Sequence, residues 1–134
     1  MWMEEYDGRE TILLVEDDRS VRELVDIVLQ KLGYRVLVAS DGPRALDLWS
    51  RTSDQIDLLM TDLVMPGEVD GLALARQLCS EKCGLKAIVF SGYITDTVKS
   101  AAEASEDLAY LEKPFDQRQL ARVVRDLLGV GRTT

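Results

Sequence analysis

Five short apolar runs alternate along this chain with segments of helical period, and that alternation constrains the fold more than any other feature. The runs fall at residues 11–15, 35–39, 56–61, 85–90 and 108–111. The third, IDLLMT, has no polar alternation except Asp57 and Thr61, so it reads as a strand buried on both faces. After the first run, Val21, Leu24, Val25, Val28 and Leu32 recur at helical spacing. Ser20 is the expected N-cap, Glu23 completes a capping box, and Gly33 closes the helix. Asp41-Gly42-Pro43 turns into a helix carrying Ala45, Leu46, Leu48 and Trp49, and a third helix carries Leu72, Ala75, Leu78 and Cys79. A short Ala-rich helix follows over about 95–104, and the last carries Leu120, Val123, Val124, Leu127 and Leu128. Strands separated by helices pair in parallel through right-handed crossovers. The expected class is α/β, a (βα)5 three-layer sandwich; periodicity leaves the strand order open.

At 134 residues the chain makes one domain. Residues 1–10 are polar and read as an irregular leader or linker remnant, and 130–134 as a tail in which no effector domain begins. Sixteen basic against 24 acidic residues give a net charge of −8, with no Lys/Arg stripe, which argues against a direct nucleic-acid partner. No apolar run approaches a membrane span and no signal pattern opens the chain, so no membrane partner and a cytoplasmic location are expected. Cys79 and Cys83, four apart on a helix, read as idle thiols of a reducing compartment; a metal site would need more ligands. There is no histidine. That removes the commonest general base and metal nitrogen, leaving carboxylates, hydroxyls and lysine for any chemistry.

In a parallel sheet all the strands end along one edge, where open α/β folds place their ligands. Glu16, Asp17 and Asp18 follow the first strand, Asp62 ends the third, Ser91 follows the fourth and Lys113 the fifth. Two carboxylates about 5 Å apart repel by roughly 3 kcal/mol at an effective dielectric near 20. With Glu16, Asp17 and Asp62 ionised and Lys113 protonated, the sum is −3 + 1 = −2, which one divalent cation cancels. All-oxygen ligation points to Mg²⁺, or Mn²⁺. A metal, a lysine and a hydroxyl suit phosphoryl chemistry, with Asp62 as the best placed carboxylate nucleophile. Each piece has a plainer reading: acids after a strand cap helices, Lys-Pro stops a strand, and Ser-Gly is a turn. Their conjunction, in order, at one edge of successive strands favours the site.

The motifs ILLVEDD, MTDLVMPG, VFSGY and YLEKPF resemble those of two-component response-regulator receiver domains, over about residues 10–130. The resemblance implies a flavodoxin-like fold of strand order 2-1-3-4-5 over residues 11–129, with Asp62 as phosphoacceptor. It implies Asp17 as direct Mg²⁺ ligand, Glu16 as a ligand through water, and the Val64 backbone carbonyl as a further ligand. Ser91 matches the switch hydroxyl, Lys113 the family's lysine and Tyr110 the switch aromatic. The implied donor is a phosphohistidine on a histidine kinase or histidine phosphotransfer protein. The implied output is a partner, unidentified by sequence, that reads the face of the fourth helix, fifth strand and fifth helix. The fourth helix, with Val98, Ala101 and Ala102, buries little and suits a shifting element. Such a domain is not an enzyme beyond its own phosphorylation and dephosphorylation. The lead-in GRETILLVEDD and the MPGEVDG and SGY variants look like receivers of hybrid histidine kinases, and the chain reads as a stand-alone receiver or one cut from a larger protein.

Two departures stand out. The loop GEVDG is one residue longer than the usual form. Val64 and Tyr93, two residues beyond Asp62 and Ser91, occupy positions that tune water access in the family and imply slow self-hydrolysis. Competing readings fit less well. An Mg²⁺-dependent aspartate-nucleophile phosphohydrolase of the haloacid dehalogenase type needs a second Asp where Val64 stands. A nucleotide or flavin module lacks a GxGxxG or P-loop after the first strand. A degenerate, binding-only receiver predicts a missing pocket residue, and none is missing.

Overall fold

The computed structural model describes residues 2–65, 67 and 70–129. The lengthened loop at 66–69 therefore lies largely, and the tail at 130–134 wholly, outside the described residues. Five strands, β1 (Thr11–Val15), β2 (Arg35–Ala39), β3 (Leu58–Asp62), β4 (Lys86–Ser91) and β5 (Leu108–Glu112), alternate with five helices. These are α1 (Arg19–Lys31), α2 (Gly42–Thr52), α3 (Gly71–Glu81), α4 (Asp96–Ala104) and α5 (Gln117–Leu128). The sheet is parallel throughout, in the order β2-β1-β3-β4-β5. This is the flavodoxin-like sandwich and strand order implied by the motifs.

The pleat of the central strands divides the core into two layers. Ile12, Leu14, Leu58, Met60, Ile88 and Phe90 face α1 and α5, while Leu13, Val15, Leu59, Ala87 and Val89 face α2, α3 and α4. Strands β1 and β3 are buried along their whole length, as the unbroken apolar runs require. The edge strands β2 and β5 are buried at one residue each.

All five helices start on side-chain caps: Asp18, Asp41, Asp70, Thr95 and Asp116 each accept a hydrogen bond from a first-turn N–H. This corrects the expected cap of α1. Asp18 Oδ1 accepts from the N–H groups of Ser20 and Val21, so Ser20 lies inside the helix, and Glu23 pairs with Arg19 at 3.0 Å. The capping box belongs to α5, between Asp116 and Gln119. Leu24, expected on the buried stripe of α1, is 58% exposed; Val25, Val28 and Leu29 form that stripe. Strand β3 begins two residues later than the apolar run, because Asp57 turns its carboxylate to accept from Thr11 N–H at 2.9 Å.

The amino-terminal segment is not irregular. Trp2–Tyr6 form a 3-10 helix against α5, with Trp2, Met3 and Tyr6 packed on the α1/α5 layer and the Arg118 guanidinium over the Trp2 ring. Arg125 ties this segment down. Its guanidinium is buried and donates to both Glu10 carboxylate oxygens (2.7 and 3.2 Å), to the Asp7 and Gly129 carbonyls, and to Tyr34 Oη. Partial burial by itself would raise the Glu10 carboxyl, but the Arg125 guanidinium holds it below the usual range. Removing one member of a buried ion pair strands the other. Arg125→Met is therefore expected to cost about 3 kcal/mol in urea unfolding, and Arg125→Met/Glu10→Gln distinctly less than the single change.

Candidate functional site

The register brings the strand ends level: Val15 pairs with Thr61, Asp62 with Phe90, and Ser91 with Glu112. Glu16, Asp62, Ser91 and Lys113 therefore meet at the carboxyl edge of β1, β3, β4 and β5. Glu16 has no solvent exposure, and Asp62 and Ser91 are buried at 6% each. Asp17 stands at the mouth, exposed, and carboxylate oxygens of Glu16, Asp17 and Asp62 all lie within 4.8 Å of one another.

Among the described residues, Lys113 is the cation paired with this cluster. Lys113 Nζ donates to Glu16 Oε1 at 2.9 Å and to Asp62 Oδ2 at 3.1 Å. The backbone fixes the lysine, since Lys113 N–H donates to the Ser91 carbonyl at 2.7 Å and the ammonium lies 5.1 Å from the centre of the Phe90 ring. Phe115 meets Phe90 edge-on, so two aromatic rings set the wall behind the ammonium. Burial acts to lower the Lys113 pKa, but Glu16 and Asp62 outweigh it and hold the amine protonated.

Glu16 carries the strain of the charge imbalance. Burial pushes its carboxyl up to about 7; Lys113 and the Asp18 N–H pull against that, and Asp62 adds to it. Asp18 N–H donates to the second oxygen, Oε2, at 3.0 Å. The Arg22 guanidinium donates to the Glu16 carbonyl at 2.8 Å. Sequence reasoning missed Arg22; its signal was a cation in the first turn of the helix that follows the acidic run.

Asp62 keeps one oxygen for Lys113 and turns the other, Oδ1, to the Val64 N–H at 3.1 Å. That hydrogen bond turns the chain out of β3, leaving the Val64 side chain 69% exposed. A parallel arrangement follows β4: Tyr93 N–H donates to Ser91 Oγ at 3.3 Å, and the Tyr93 ring is 71% exposed. Gly71 completes the setting. A side chain there would collide with the Asp62 carbonyl, so only glycine lets α3 begin against the end of β3. Its N–H donates to the Leu63 carbonyl at 2.8 Å.

Of the residues singled out from sequence, Glu16, Asp17, Asp62, Ser91 and Lys113 converge, and Val64 borders Asp62. Tyr110 does not join them. It sits mid-strand on β5, 39% exposed, beside a groove between α4 and α5. Cys79 is half-buried and donates to the Leu85 carbonyl, Cys83 is exposed, and both thiols are free. Burial raises the Cys79 thiol above its ordinary pKa, as expected of an idle thiol. Among the described residues, no helix is long and apolar enough to cross a membrane.

Comparison with known proteins shows the family. The model of the response regulator receiver domain matches residues 12–125. The chain is 37% identical, over 90% of its length, to the sensor kinase CckA of Brucella abortus, of which it spans 13%. It spans about half of two further relatives, the transcriptional regulatory protein CpxR of Escherichia coli and the response regulator MprA of Mycobacterium avium. It is 33% identical to the response regulator receiver protein CpdR of the same organism, covering 87% of this chain and 95% of that one. The response regulator TrrA of Thermotoga maritima, solved in complex with Mg²⁺ and BeF, superposes with a TM-score of 0.74 at 31% identity, over 88% of this chain and 98% of the other. The chain belongs to the response regulator receiver domain family.

Proposed function

We propose that this domain accepts a phosphoryl group on Asp62 from a phosphohistidine of a partner protein, a histidine kinase or a histidine phosphotransfer protein. The observation that carries this reading is the Lys113 ammonium bridging Asp62 and Glu16 beside an otherwise unbalanced acidic cluster. An Asp62 oxygen attacks phosphorus; the P–O bond forms, the P–N bond of the donor breaks, and the electron pair leaves with the imidazole. Lys113 Nζ neutralises charge building on the transferring oxygens from a position already fixed by backbone and ring.

Glu16, Asp17 and Asp62 are the side chains that would hold a divalent cation, with the Val64 carbonyl as a further oxygen. The fit rests on three carboxylates facing one ammonium, with only oxygen donors present. When bound, Mg²⁺ supplies charge neutralisation on the phosphoryl oxygens. On this reading Asp17 acts directly and Glu16 through water, since Glu16 is fully buried and already engages Lys113 and Asp18 N–H. The chain's likeness to TrrA, a protein solved in complex with Mg²⁺ and BeF, supports a divalent cation in this cluster.

Phosphorylation adds about one negative charge and strong acceptors beside Ser91. Ser91 Oγ, which accepts from the Tyr93 N–H, then moves to donate its O–H to a phosphoryl oxygen, and Tyr110 turns inward into the space released. The face built from α4, β5 and α5 changes shape, and an output partner reads it. Helix α4 suits such a change, for it buries a single residue, Val98.

Incubation with Mg²⁺ and acetyl phosphate is expected to add one phosphoryl group by intact mass, and Asp62→Asn to add none. Absence of an adduct on the unmutated chain would leave a binding-only receiver. With an apolar Val64 and a bulky Tyr93 two residues beyond Asp62 and Ser91, the positions that tune water access, the adduct is expected to persist for minutes or longer at neutral pH; loss within seconds contradicts that role for the two side chains. The pH dependence of stability follows from Glu16. Its folded pKa of about 7 lies above its ordinary value of 4.5, so its protonated form favours folding. That contribution is complete below about pH 4.5 and is lost as pH rises through about 7. In EDTA, urea unfolding should show stability falling by up to about 3 kcal/mol from pH 5 to pH 8, with Mg²⁺ restoring part of it and Glu16→Gln flattening the profile.

A further inference from the structure

Glu16, the residue that follows β1, is held at its N–H, its carbonyl and both carboxylate oxygens. Its N–H donates to the Ala39 carbonyl at 3.1 Å, carrying the pairing of β1 with β2 one step further. Its carboxylate oxygens take Lys113 and the Asp18 N–H. Its carbonyl accepts from Arg22 Nη1 at 2.8 Å. Arg22 is fixed in turn, because its own N–H donates to the Asp18 carbonyl at 2.9 Å in the first turn of α1. Glu16, Asp18 and Arg22 thus brace one another, and Asp17 is enclosed between the braced residues.

Arg22 does this without consuming a carboxylate. The acids nearest to it along α1 are engaged elsewhere: Asp18 caps the helix, Glu23 pairs with Arg19, and Asp26 accepts from Gln30. Among the described residues Arg22 forms no ion pair. Nor does any hydrogen bond or ion pair among them take the Asp17 carboxylate, which stands exposed within 4.8 Å of oxygens of Glu16 and Asp62. The brace therefore fixes the backbone on both sides of Asp17 and leaves its oxygens uncommitted. Two effects of Arg22 on a cation at this cluster oppose each other. Its positive charge repels the cation, whereas its hydrogen bond orders the chain that carries the ligands.

We infer that Arg22 is a positioning residue for divalent-cation binding, holding the Glu16 carbonyl so that Asp17 offers its carboxylate beside Glu16 and Asp62 without being neutralised; this rests on the reading of that cluster as the metal site. Groups that orient metal ligands are worth about 10–100-fold in metal affinity. Mg²⁺ demands near-ideal octahedral geometry while Ca²⁺ takes looser, larger shells, so a misplaced ligand costs Mg²⁺ more. Charge alone predicts the opposite sign, since removing a guanidinium beside carboxylates tightens the binding of either cation. Arg19 is the internal control. It carries the same charge on the same turn and spends its guanidinium on Glu23, not on the turn that holds Asp17.

Titration of the whole chain with Mg²⁺ and with Ca²⁺, followed by calorimetry and amide resonances, tests the inference on the unmutated protein, Arg22→Met, Arg22→Gln, Arg19→Met and Asp17→Asn. Mg²⁺ affinity is expected to fall about tenfold in both Arg22 variants and to hold or rise slightly in Arg19→Met. Ca²⁺ affinity is expected to fall only about two- to threefold in the Arg22 variants, so that the preference for Mg²⁺ narrows. Before any metal is added, the Asp17 and Asp18 amides should shift in the Arg22 variants while those of α3 stay in place. Arg22 variants that bind Mg²⁺ as tightly as the unmutated chain, or more tightly, would overturn the inference, because the guanidinium then acts by charge alone. Equal losses for Mg²⁺ and Ca²⁺ would overturn it as well, marking general loosening in place of positioning. Mg²⁺ binding that Asp17→Asn abolishes and the Arg22 variants retain sinks this inference alone. No Mg²⁺ binding by the unmutated chain sinks the metal reading, and this inference with it.

Discussion

Lys113 holds two buried carboxylates that would otherwise repel one another, and much of the molecule is arranged to keep it there. Its N–H is bonded to the Ser91 carbonyl, which requires β5 to lie beside β4 in register. Its ammonium passes Phe90, which faces the α1/α5 layer from β4. Its two acceptors stand at the ends of β1 and β3, the strands buried along their whole length. A slip of one residue in β3 would send Asp62 to the opposite face of the sheet and leave Glu16 alone with the charge. The core therefore does more than stabilise: the tight packing of Leu58, Met60, Ile88 and Phe90 is what fixes the distance between a cation and two anions.

Most of the architecture was legible because its signals are local. An apolar run with no alternation means a strand covered on both sides, and a stripe at helical spacing means a helix laid on it. The site was legible too, since in a parallel sheet every strand end falls at one edge. What stayed hidden depends on contacts between distant residues. Ser20 and Asp18 are both good caps by residue type, and only the path of the chain out of β1 decides for Asp18. Leu24 fits the apolar stripe of α1 by spacing, yet α1 turns Val25, Val28 and Leu29 to the core and leaves it facing solvent. Trp2, Met3 and Tyr6 look like stray hydrophobic residues in a polar leader because their partners lie on α5, at the other end of the chain.

The two halves of the molecule are held by different physics. At the carboxyl edge, buried charges remain short of full compensation, which leaves room for a cation and for a phosphoryl group to change the balance. At the opposite edge, Arg125 has a partner for each of its three guanidinium nitrogens and nothing remains to be satisfied. One end is poised to respond and the other is closed. A switch of this kind works only if the charge added at one edge does not loosen the other.

The Arg125 contacts carry a topological consequence. The guanidinium reaches both the Asp7 carbonyl and the Gly129 carbonyl, so the path into the domain and the path out of it pass within one side chain of each other. A unit whose entry and exit nearly coincide can be spliced between unrelated neighbours with little loop-closure entropy, and without pulling its own strands apart. The same fold can thus stand alone or hang as a side branch from a longer polypeptide, with its chemistry insulated from whatever lies on either side.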